Sequence, residues 1–237
     1  MFWNPVTRWL ACKANSISSL TPVPPRDIDD RRKILLVHAH PRADSFNAAL
    51  AAAVEAGAKD GGHDVRRRNL YSEGYQPALS SDERELYHSA IDRGLQRAKP
   101  DVRAAIEDLK WCDSVVFVYP TWWFNLPAML KGWLDRTLLP GDDCAWNFPA
   151  PGEGGGLVPK LTNVKQIAGV TTYGASWPIT MLAGDNGRNC LATAIRHGNF
   201  GSDCTCRWLA LHNMDFTAER EREDFLDHVY KVFRDEF

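Results

Sequence analysis

The sequence predicts a doubly wound α/β fold, with five parallel strands and helices on both faces of the sheet. Two continuous apolar runs, at residues 34–38 and 115–119, are typical of strands that are buried on both faces. Three further strand-like segments alternate with helical patterns along the 237 residues. Because parallel strands need crossover connections, this alternation predicts a parallel sheet.

The first half of the chain supplies two of the strands. The first strand leads into a helix that begins at Phe46 and is expected to be capped by Ser45 or Asp44. The second strand alternates less cleanly and is predicted at an edge of the sheet. The predicted elements of this half are the strand 34–38, the helix 46–57, the strand 63–70 and the helices 82–97 and 100–110.

The second half supplies the other three strands. Pro120 has no N–H and is expected to end the third strand, and Pro127 is expected in the first turn of the next helix. A Gly- and Pro-rich loop at 140–160 is long enough to indicate a function. Thr217 is expected to cap the closing helix. The predicted elements are the strand 115–119, the helix 125–137, the strands 164–171 and 204–212, and the helices 186–197 and 217–234.

Composition divides the chain and limits its partners. Residues 1–30 are predicted to be an N-terminal extension, either an arm that packs on a partner or a partly disordered segment, and residues 31–237 to be one domain. A net charge of −2 gives no indication of nucleic-acid binding, and no apolar run is long enough to suggest insertion into a membrane. Six scattered cysteines are typical of reduced thiols, which predicts a cytoplasmic protein.

The turn after the first strand separates two competing folds of this class. A nicotinamide-binding turn needs glycines, so that the backbone can approach a pyrophosphate. Residues 40–47 contain no glycine, which favours the flavodoxin-like alternative. The side chains of His40, Ser45 and Asn47 and the start of the helix would then hold an anion. An ordinary helix-capping turn is the competing interpretation.

Two other strand ends carry unusual loops. Three aromatic residues, Trp122, Trp123 and Phe124, follow the third strand, where an open α/β sheet binds its ligand. Residues 171–176 follow the fourth strand and offer hydroxyl groups, a glycine and backbone N–H groups. Because the ends of parallel strands meet at one edge, the three loops are predicted to form one site for a flat ligand with a polar edge.

Several other patterns are predicted to be structural. His38 and His40 could face one way, but no neighbouring carboxylate or cysteine completes a metal site, so no metal is expected. Cys204 and Cys206 lack a second pair for zinc. Cys190 and the arginine six residues later have the spacing of a thiol phosphatase, but the residues between them favour a helix. The run of three arginines in the second strand is predicted to be a solvated surface.

Three motifs, at residues 34–47, 119–136 and 169–174, together resemble those of the NAD(P)H:quinone oxidoreductase family of flavodoxin-like flavoproteins, bacterial NAD(P)H-dependent oxidoreductases above all. The similarity runs over about residues 33–235. The resemblance implies a tightly held flavin, FAD or FMN with FAD favoured, and NAD(P)H as the electron donor. It also implies a homodimer with the site at the interface.

The resemblance assigns a role to each loop. The first loop would hold a phosphate or pyrophosphate, the second would support the flavin ring, and the third would meet the polar edge of the ring. The implied residues are, loop by loop, His40, Ser45, Phe46 and Asn47; Pro120, Thr121, Trp122, Trp123 and Phe124; and Thr171, Thr172, Tyr173 and Gly174.

The substrate side departs from the family. The quinone reductases carry a tyrosine and a histidine after the third loop, and Trp177 and Ala183 stand near those positions here, whereas the pair Gly184 and Asp185 is kept. Tyr173 and Trp177 are predicted as the catalytic residues, which line an apolar slot for flat molecules together with the aromatic residues of the second loop.

The sequence thus predicts an enzyme that transfers hydride from NAD(P)H, through a bound flavin, to a flat electrophilic acceptor such as a quinone. Two alternatives remain. One is a flavodoxin-like protein that transfers single electrons to a protein partner. The other is an ancillary, redox-sensing subunit of a potassium efflux system.

Overall fold

The computed structural model describes residues 31–85, 87, 98–150 and 156–237. Five strands form its main sheet: β1 (Lys33–His38), β2 (Asp64–Asn69), β3 (Ser114–Pro120), β4 (Gln166–Thr172) and β5 (Thr205–Leu211). All neighbouring pairs are parallel, and the order across the sheet is β2–β1–β3–β4–β5. This is the flavodoxin-like order of a doubly wound sheet, so the predicted fold class is confirmed.

Helices cover both faces of the sheet. They are α1 (Phe46–Asp60), α2 (Pro100–Trp111), α3 (Ala128–Thr137), α4 (Trp177–Leu182), α5 (Asn186–Asn189), which continues as a wider π-type helix (Cys190–Phe200), and α6 (Glu219–Asp235). A short two-stranded ladder joins Trp146–Asn147 to Val158–Pro159 within the predicted loop 140–160. In the part of the chain that the structure describes, no helix is both long and apolar enough to cross a lipid bilayer.

The central strands contribute to two hydrophobic cores. In β1, Ile34 and Leu36 pack in the core that α1 and α6 cover, whereas Leu35 and Val37 pack in the core beneath α2 and α3. Successive side chains of a strand point to opposite faces, so a strand that is covered on both faces needs apolar residues at every position. This requirement explains the continuous apolar runs in the sequence.

The register of the sheet aligns the carboxyl ends of three strands. His38 of β1 pairs with Val118 of β3, and Tyr119 of β3 pairs with Thr171 of β4. The segments that follow these strands therefore leave the sheet at the same edge. We call them the first loop (residues 39–45), the second loop (residues 121–127) and the third loop (residues 173–176).

Two predicted helix starts are wrong, each because of a local turn. α3 begins at Ala128 rather than Asn125, since Asn125 closes a tight turn with Trp122, and Pro127 precedes the helix. Ala218, not Thr217, is the residue before α6, because the Thr217 hydroxyl donates to the Asn213 carbonyl.

Other predicted boundaries differ only in length or lie outside the described residues. α1 continues to Asp60, and Ser45 rather than Asp44 caps it. Residues 81–85 are helical, while most of the predicted helix 82–97 lies outside the described residues, as does the predicted extension 1–30.

Candidate functional site

Direct contacts bring the three loops together at the carboxyl edge of the sheet. The Thr121 N–H donates to the Thr172 carbonyl at 2.8 Å, and the hydroxyl groups of Thr121 and Thr171 lie 3.1 Å apart. These bonds join the second loop to the end of β4. On the other side, the rings of His40 and Trp122 have centroids 6.2 Å apart. The structure thus places side by side the three segments that the sequence assigns to one site.

The first loop presents the start of α1 to this edge. Ser45 caps the helix, since its hydroxyl accepts from the Ala48 N–H at 3.1 Å and donates to the Arg42 carbonyl at 2.9 Å. Among the described residues, the N–H groups of Phe46 and Asn47 have no acceptor. Free N–H groups at the start of a long helix favour an anion. The free N–H groups at the helix start are therefore better suited to bind a phosphate than the Ser45 hydroxyl is, because that hydroxyl is already engaged.

Two polar side chains are buried next to the first loop. His38 and Asn47 are both buried, and neither makes a side-chain hydrogen bond of normal geometry. Burial and then the charge of Arg67 lower the pKa of His38 to about 4, and the neighbouring Asn47 amide offsets only part of this shift. His38 is therefore neutral near pH 7 and packed in the core, as the sequence predicts. A buried amide without a partner is expected where a bound ligand would supply the missing hydrogen bond.

The second loop has an unusual backbone. Trp122 and Asn125 exchange two hydrogen bonds, at 3.2 and 3.1 Å, and the two residues between them have φ angles of +51° (Trp123) and +57° (Phe124). Positive φ at both central positions is the signature of a type I′ turn, which normally requires glycine or asparagine. Bulky residues in this region are strained, and such strain concentrates at binding sites.

This turn exposes the groups that a flat ligand needs. The Trp123 side chain is 93% exposed and Trp122 is also exposed. Among the described residues, the N–H groups of Trp123 and Phe124 donate no hydrogen bond. The second loop therefore offers both an aromatic surface and free donors for the polar atoms of a bound ring.

Backbone hydrogen bonds connect the third loop to β5 and to the turn that follows β5. The Tyr173 N–H donates to the Leu211 carbonyl at 2.8 Å, and the Met214 N–H donates to the Tyr173 carbonyl at 2.9 Å. A Cβ atom at Gly174 would lie 2.8 Å from Oδ2 of Asp215, so a side chain there would displace the Asp215 carboxylate. Thr171 and Thr172 are buried at the end of β4.

The two predicted catalytic residues have different surroundings. Trp177 begins α4 and is 45% exposed, so its ring is available to a ligand. Tyr173 is only 2% exposed, and its hydroxyl donates to the Asp185 carboxylate at 2.7 Å. Burial, followed by the charge of Asp185, raises the pKa of Tyr173. This geometry argues against the prediction that the Tyr173 side chain lines the slot. It favours a role in which the side chain supports the third loop.

Two residues of this region were not predicted from the sequence as functional. His212 stacks on Tyr173, with ring centroids 4.4 Å apart and planes 11° apart, and Asp185 accepts the Tyr173 hydroxyl. His212 directly follows β5, and the rule that ligands bind beyond the carboxyl ends of strands would have pointed to it. Asp185 belongs to the retained Gly-Asp pair, to which the sequence pattern assigns no role.

The remaining candidates lie in or next to strands and helices. Cys190 lies in the continuous helix that follows Asn186, not in a phosphate loop. Burial raises the pKa of Cys204 to about 12 and that of Cys206 to about 11. Arg66 and Arg68 both contact the Asp108 carboxylate. The described ranges contain no group of three His, Cys, Asp or Glu side chains that could hold a metal ion.

Comparison with known proteins agrees with this fold. A family model for the flavodoxin-like fold matches residues 32–182. Rat NAD(P)H dehydrogenase [quinone] 1 is 30% identical over 178 residues, 70% of this chain and 63% of the rat protein. The uncharacterized NAD(P)H oxidoreductase YcaK of Escherichia coli is 35% identical over 104 residues, 44% of this chain and 51% of YcaK. The match thus spans between about half and two thirds of these relatives.

A solved structure extends the comparison to the whole fold. The NAD(P)H:quinone oxidoreductase from Methanothermobacter marburgensis superposes with a TM-score of 0.69, over 86% of this chain and 96% of that one. The sequence identity is 20%, so this likeness concerns the fold.

Proposed function

The chain belongs to the flavodoxin-like family that includes the NAD(P)H:quinone oxidoreductases, and on that premise we propose that it is a flavin-dependent oxidoreductase. Its donor would be NAD(P)H, and its acceptor a flat electrophilic molecule such as a quinone. The proposal rests above all on the second loop. The strained turn at Trp123 and Phe124 exposes an aromatic surface and two free N–H groups at the carboxyl edge of the sheet.

The residues at this edge fit a flavin. An isoalloxazine ring is flat and apolar on its faces and carries hydrogen-bond acceptors along one edge. Trp122 and Trp123 supply aromatic surface, and the N–H groups of Trp123 and Phe124 supply donors. The first loop adds the free N–H groups at the start of α1 for a phosphate or pyrophosphate. We favour FAD over FMN, from the family resemblance.

When bound, the flavin supplies the chemistry of accepting and releasing hydride. The chain contributes binding, orientation and exclusion of water. Trp123 and Trp177 would stack on flat molecules, and backbone N–H groups of the second loop would stabilise negative charge on the ring. No side chain of the site is required as a nucleophile. Tyr173 keeps its proton, because burial raises its pKa, and it would support the third loop rather than transfer a proton.

The test is optical. The purified full chain, supplied with FAD or FMN if it carries neither, is expected to show flavin absorbance bands that bleach when NADH or NADPH is added without oxygen. A quinone should then restore the bands, and chromatography of the heat-released cofactor distinguishes FAD from FMN. Failure to take up either flavin would contradict the proposal. Bands that dithionite bleaches and NAD(P)H does not would favour the one-electron transfer alternative.

The remaining assignments follow from the same proposal. We place the flavin-binding domain at residues 31–237 and treat residues 1–30 as an extension. Cys112, Cys144, Cys190 and Cys204 are free thiols, which supports a reducing compartment such as the cytoplasm.

Exposed apolar residues support a homodimer. Ile179 and Leu182 lie one turn apart on α4 and are exposed, Leu182 to 89%, and Phe216 in the turn after β5 is equally exposed. Large apolar side chains in contact with water near a site are typical of an interface. A second copy would cover them and complete the walls around Trp123 and Trp177.

Leu182→Ser is expected to convert the dimer into a species with the 26.6 kDa mass of one chain, because it removes the most exposed apolar side chain of α4. Size-exclusion chromatography with light scattering measures this mass. Leu157→Ser is the matched control, since Leu157 is an exposed leucine beside the short two-stranded ladder. A monomeric parent protein, or an unchanged mass for Leu182→Ser, would contradict the dimer.

A further inference from the structure

A buried hydrogen bond links the third loop to the segment before α5. The Tyr173 hydroxyl donates to Oδ1 of Asp185 at 2.7 Å, and both residues are buried. Hydrogen bonds to a carboxylate are roughly twice as strong as those between neutral groups, and a missing partner is costly in a buried place. His212 stacks on the Tyr173 ring and limits its movement.

The backbone of Asp185 itself lies in a region that a non-glycine residue rarely adopts. Asp185 has φ +42° and ψ +50°, in the left-handed region, and Gly184 before it has φ +94°. Asp185 stands at the N-cap position of α5, where an aspartate normally accepts from helix N–H groups, yet its side chain makes no capping bond. The carboxylate is instead directed to Tyr173. Strain of this kind persists only where the surroundings hold it.

The same segment also contacts the second loop. A Cβ atom at Gly187 would lie 3.3 Å from the backbone of Asn125 and Leu126, so only glycine leaves this approach free of crowding. Three residues after Asp185, the Arg188 guanidinium lies 3.9 Å from Oδ2 of Asp185 and partly balances its charge. The segment 184–188 therefore contacts the third loop through Asp185 and the second loop through Gly187.

We propose that Asp185 is a positioning residue, which acts through the Tyr173 hydroxyl to fix the third loop relative to the second loop for flavin binding. This proposal rests on the proposed function and adds residues to it. Because both side chains are buried, they would act without contacting the ring. Their effect is to hold the backbone at Tyr173 in place, so that the N–H and carbonyl groups of Gly174 are already oriented before the flavin binds.

The first variant is Tyr173→Phe, which keeps the stack on His212 and removes only the donated hydrogen bond. We expect FAD or FMN binding to weaken about tenfold or more. Without flavin, hydrogen–deuterium exchange should become faster in peptides covering residues 173–176. Tyr230→Phe is the matched control, because Tyr230 donates to Asp60 at 2.7 Å, at the far end of α1. The control should change neither quantity.

A second pair of variants separates the hydrogen bond from a general structural role. Asp185→Asn keeps an oxygen that can accept from Tyr173, whereas Asp185→Ala does not. We expect Asp185→Asn to retain most of the flavin affinity and Asp185→Ala to lose it about as much as Tyr173→Phe. Equal affinities for the two Asp185 variants, or parental affinity and exchange in Tyr173→Phe, would overturn the positioning role. A parent chain that binds no flavin refutes the proposed function instead, and the exchange comparison still decides whether the bond fixes the loop.

Discussion

Replacement of Arg136 by methionine is expected to lower the free energy of unfolding by about 3 kcal/mol or more. Arg136 is 2% exposed near the end of α3. Its guanidinium contacts Glu83 at 2.6 Å and Asp101 at 2.7 Å, and donates to the Gln76 carbonyl at 2.6 Å. The same group lies 4.8 Å from the Tyr75 ring centroid. Removal of one buried partner leaves the opposite charges without compensation.

The loss should depend on pH in a defined direction. Burial raises the pKa of Glu83, but hydrogen bonds from Ser80, Arg136 and Lys99 outweigh it and bring the pKa down to about 2. A lowered carboxyl pKa stabilises the fold above the unfolded-state value of about 4.5, and that contribution disappears as pH falls toward 2. The difference between Arg136→Met and the parent should therefore shrink between pH 4.5 and pH 2.

Urea titrations followed by circular dichroism measure these free energies. Lys131→Met is the matched control, because Lys131 lies on the same helix and pairs with Asp135 at the surface, with both side chains about half exposed. Exposed pairs of this kind contribute about 0.5 kcal/mol or less. If Arg136→Met loses no more stability than Lys131→Met at pH 7, the buried contacts do not anchor α3.

The contacts of Arg136 show that the motif at residues 119–136 has two parts with different roles. The first part forms the strained turn, whereas the second part anchors α3 to the core. Gly132 belongs to the anchor, since a Cβ atom there would lie 2.2 Å from the Pro77 carbonyl oxygen. A resemblance carried by the whole motif does not separate these roles, because both depend on residues distant in sequence.

The strands were predictable because their signal is local. A strand covered on both faces must be apolar at each position, and residues 34–38 and 115–119 show this directly. The helix starts predicted at residues 125 and 217 were wrong because a helix boundary also depends on the hydrogen bonds of the adjoining turn. Asn125 and Thr217 have side chains that suit a helix start, but each is engaged by a turn. Turn bonds of this kind decide a boundary without changing the apolar pattern.

The position of Tyr173 could not be predicted from its own loop. Its burial depends on Asp185, twelve residues later, and on His212 at the end of another strand. The sequence indicated correctly that residues near 173 lie at the edge where the three loops meet. Whether a side chain there faces a ligand or the core is decided by partners that only the folded chain brings near.

The strained turn leads to the second large effect. Trp123→Gly is expected to weaken flavin binding about tenfold or more, because it removes an exposed aromatic surface. The same change should raise the free energy of unfolding by up to about 1 kcal/mol. A non-glycine residue in the left-handed region costs roughly 1–2 kcal/mol, of which the greater freedom of glycine in the unfolded chain cancels a part. Trp123 is 93% exposed, so little buried contact is lost.

Trp123→Ala separates the two contributions. It removes the same ring but keeps a Cβ atom at φ +51°, so it should lose flavin affinity equally and gain no stability. Flavin titration followed by fluorescence and urea unfolding of the flavin-free protein give the two quantities. A glycine variant no more stable than the alanine variant would show that the turn is not strained, and retention of flavin by both would remove Trp123 from the site. If Trp123→Gly binds flavin more weakly and is more stable than the parent, the parent chain loses stability at this turn and in return keeps Trp123 available to a ligand.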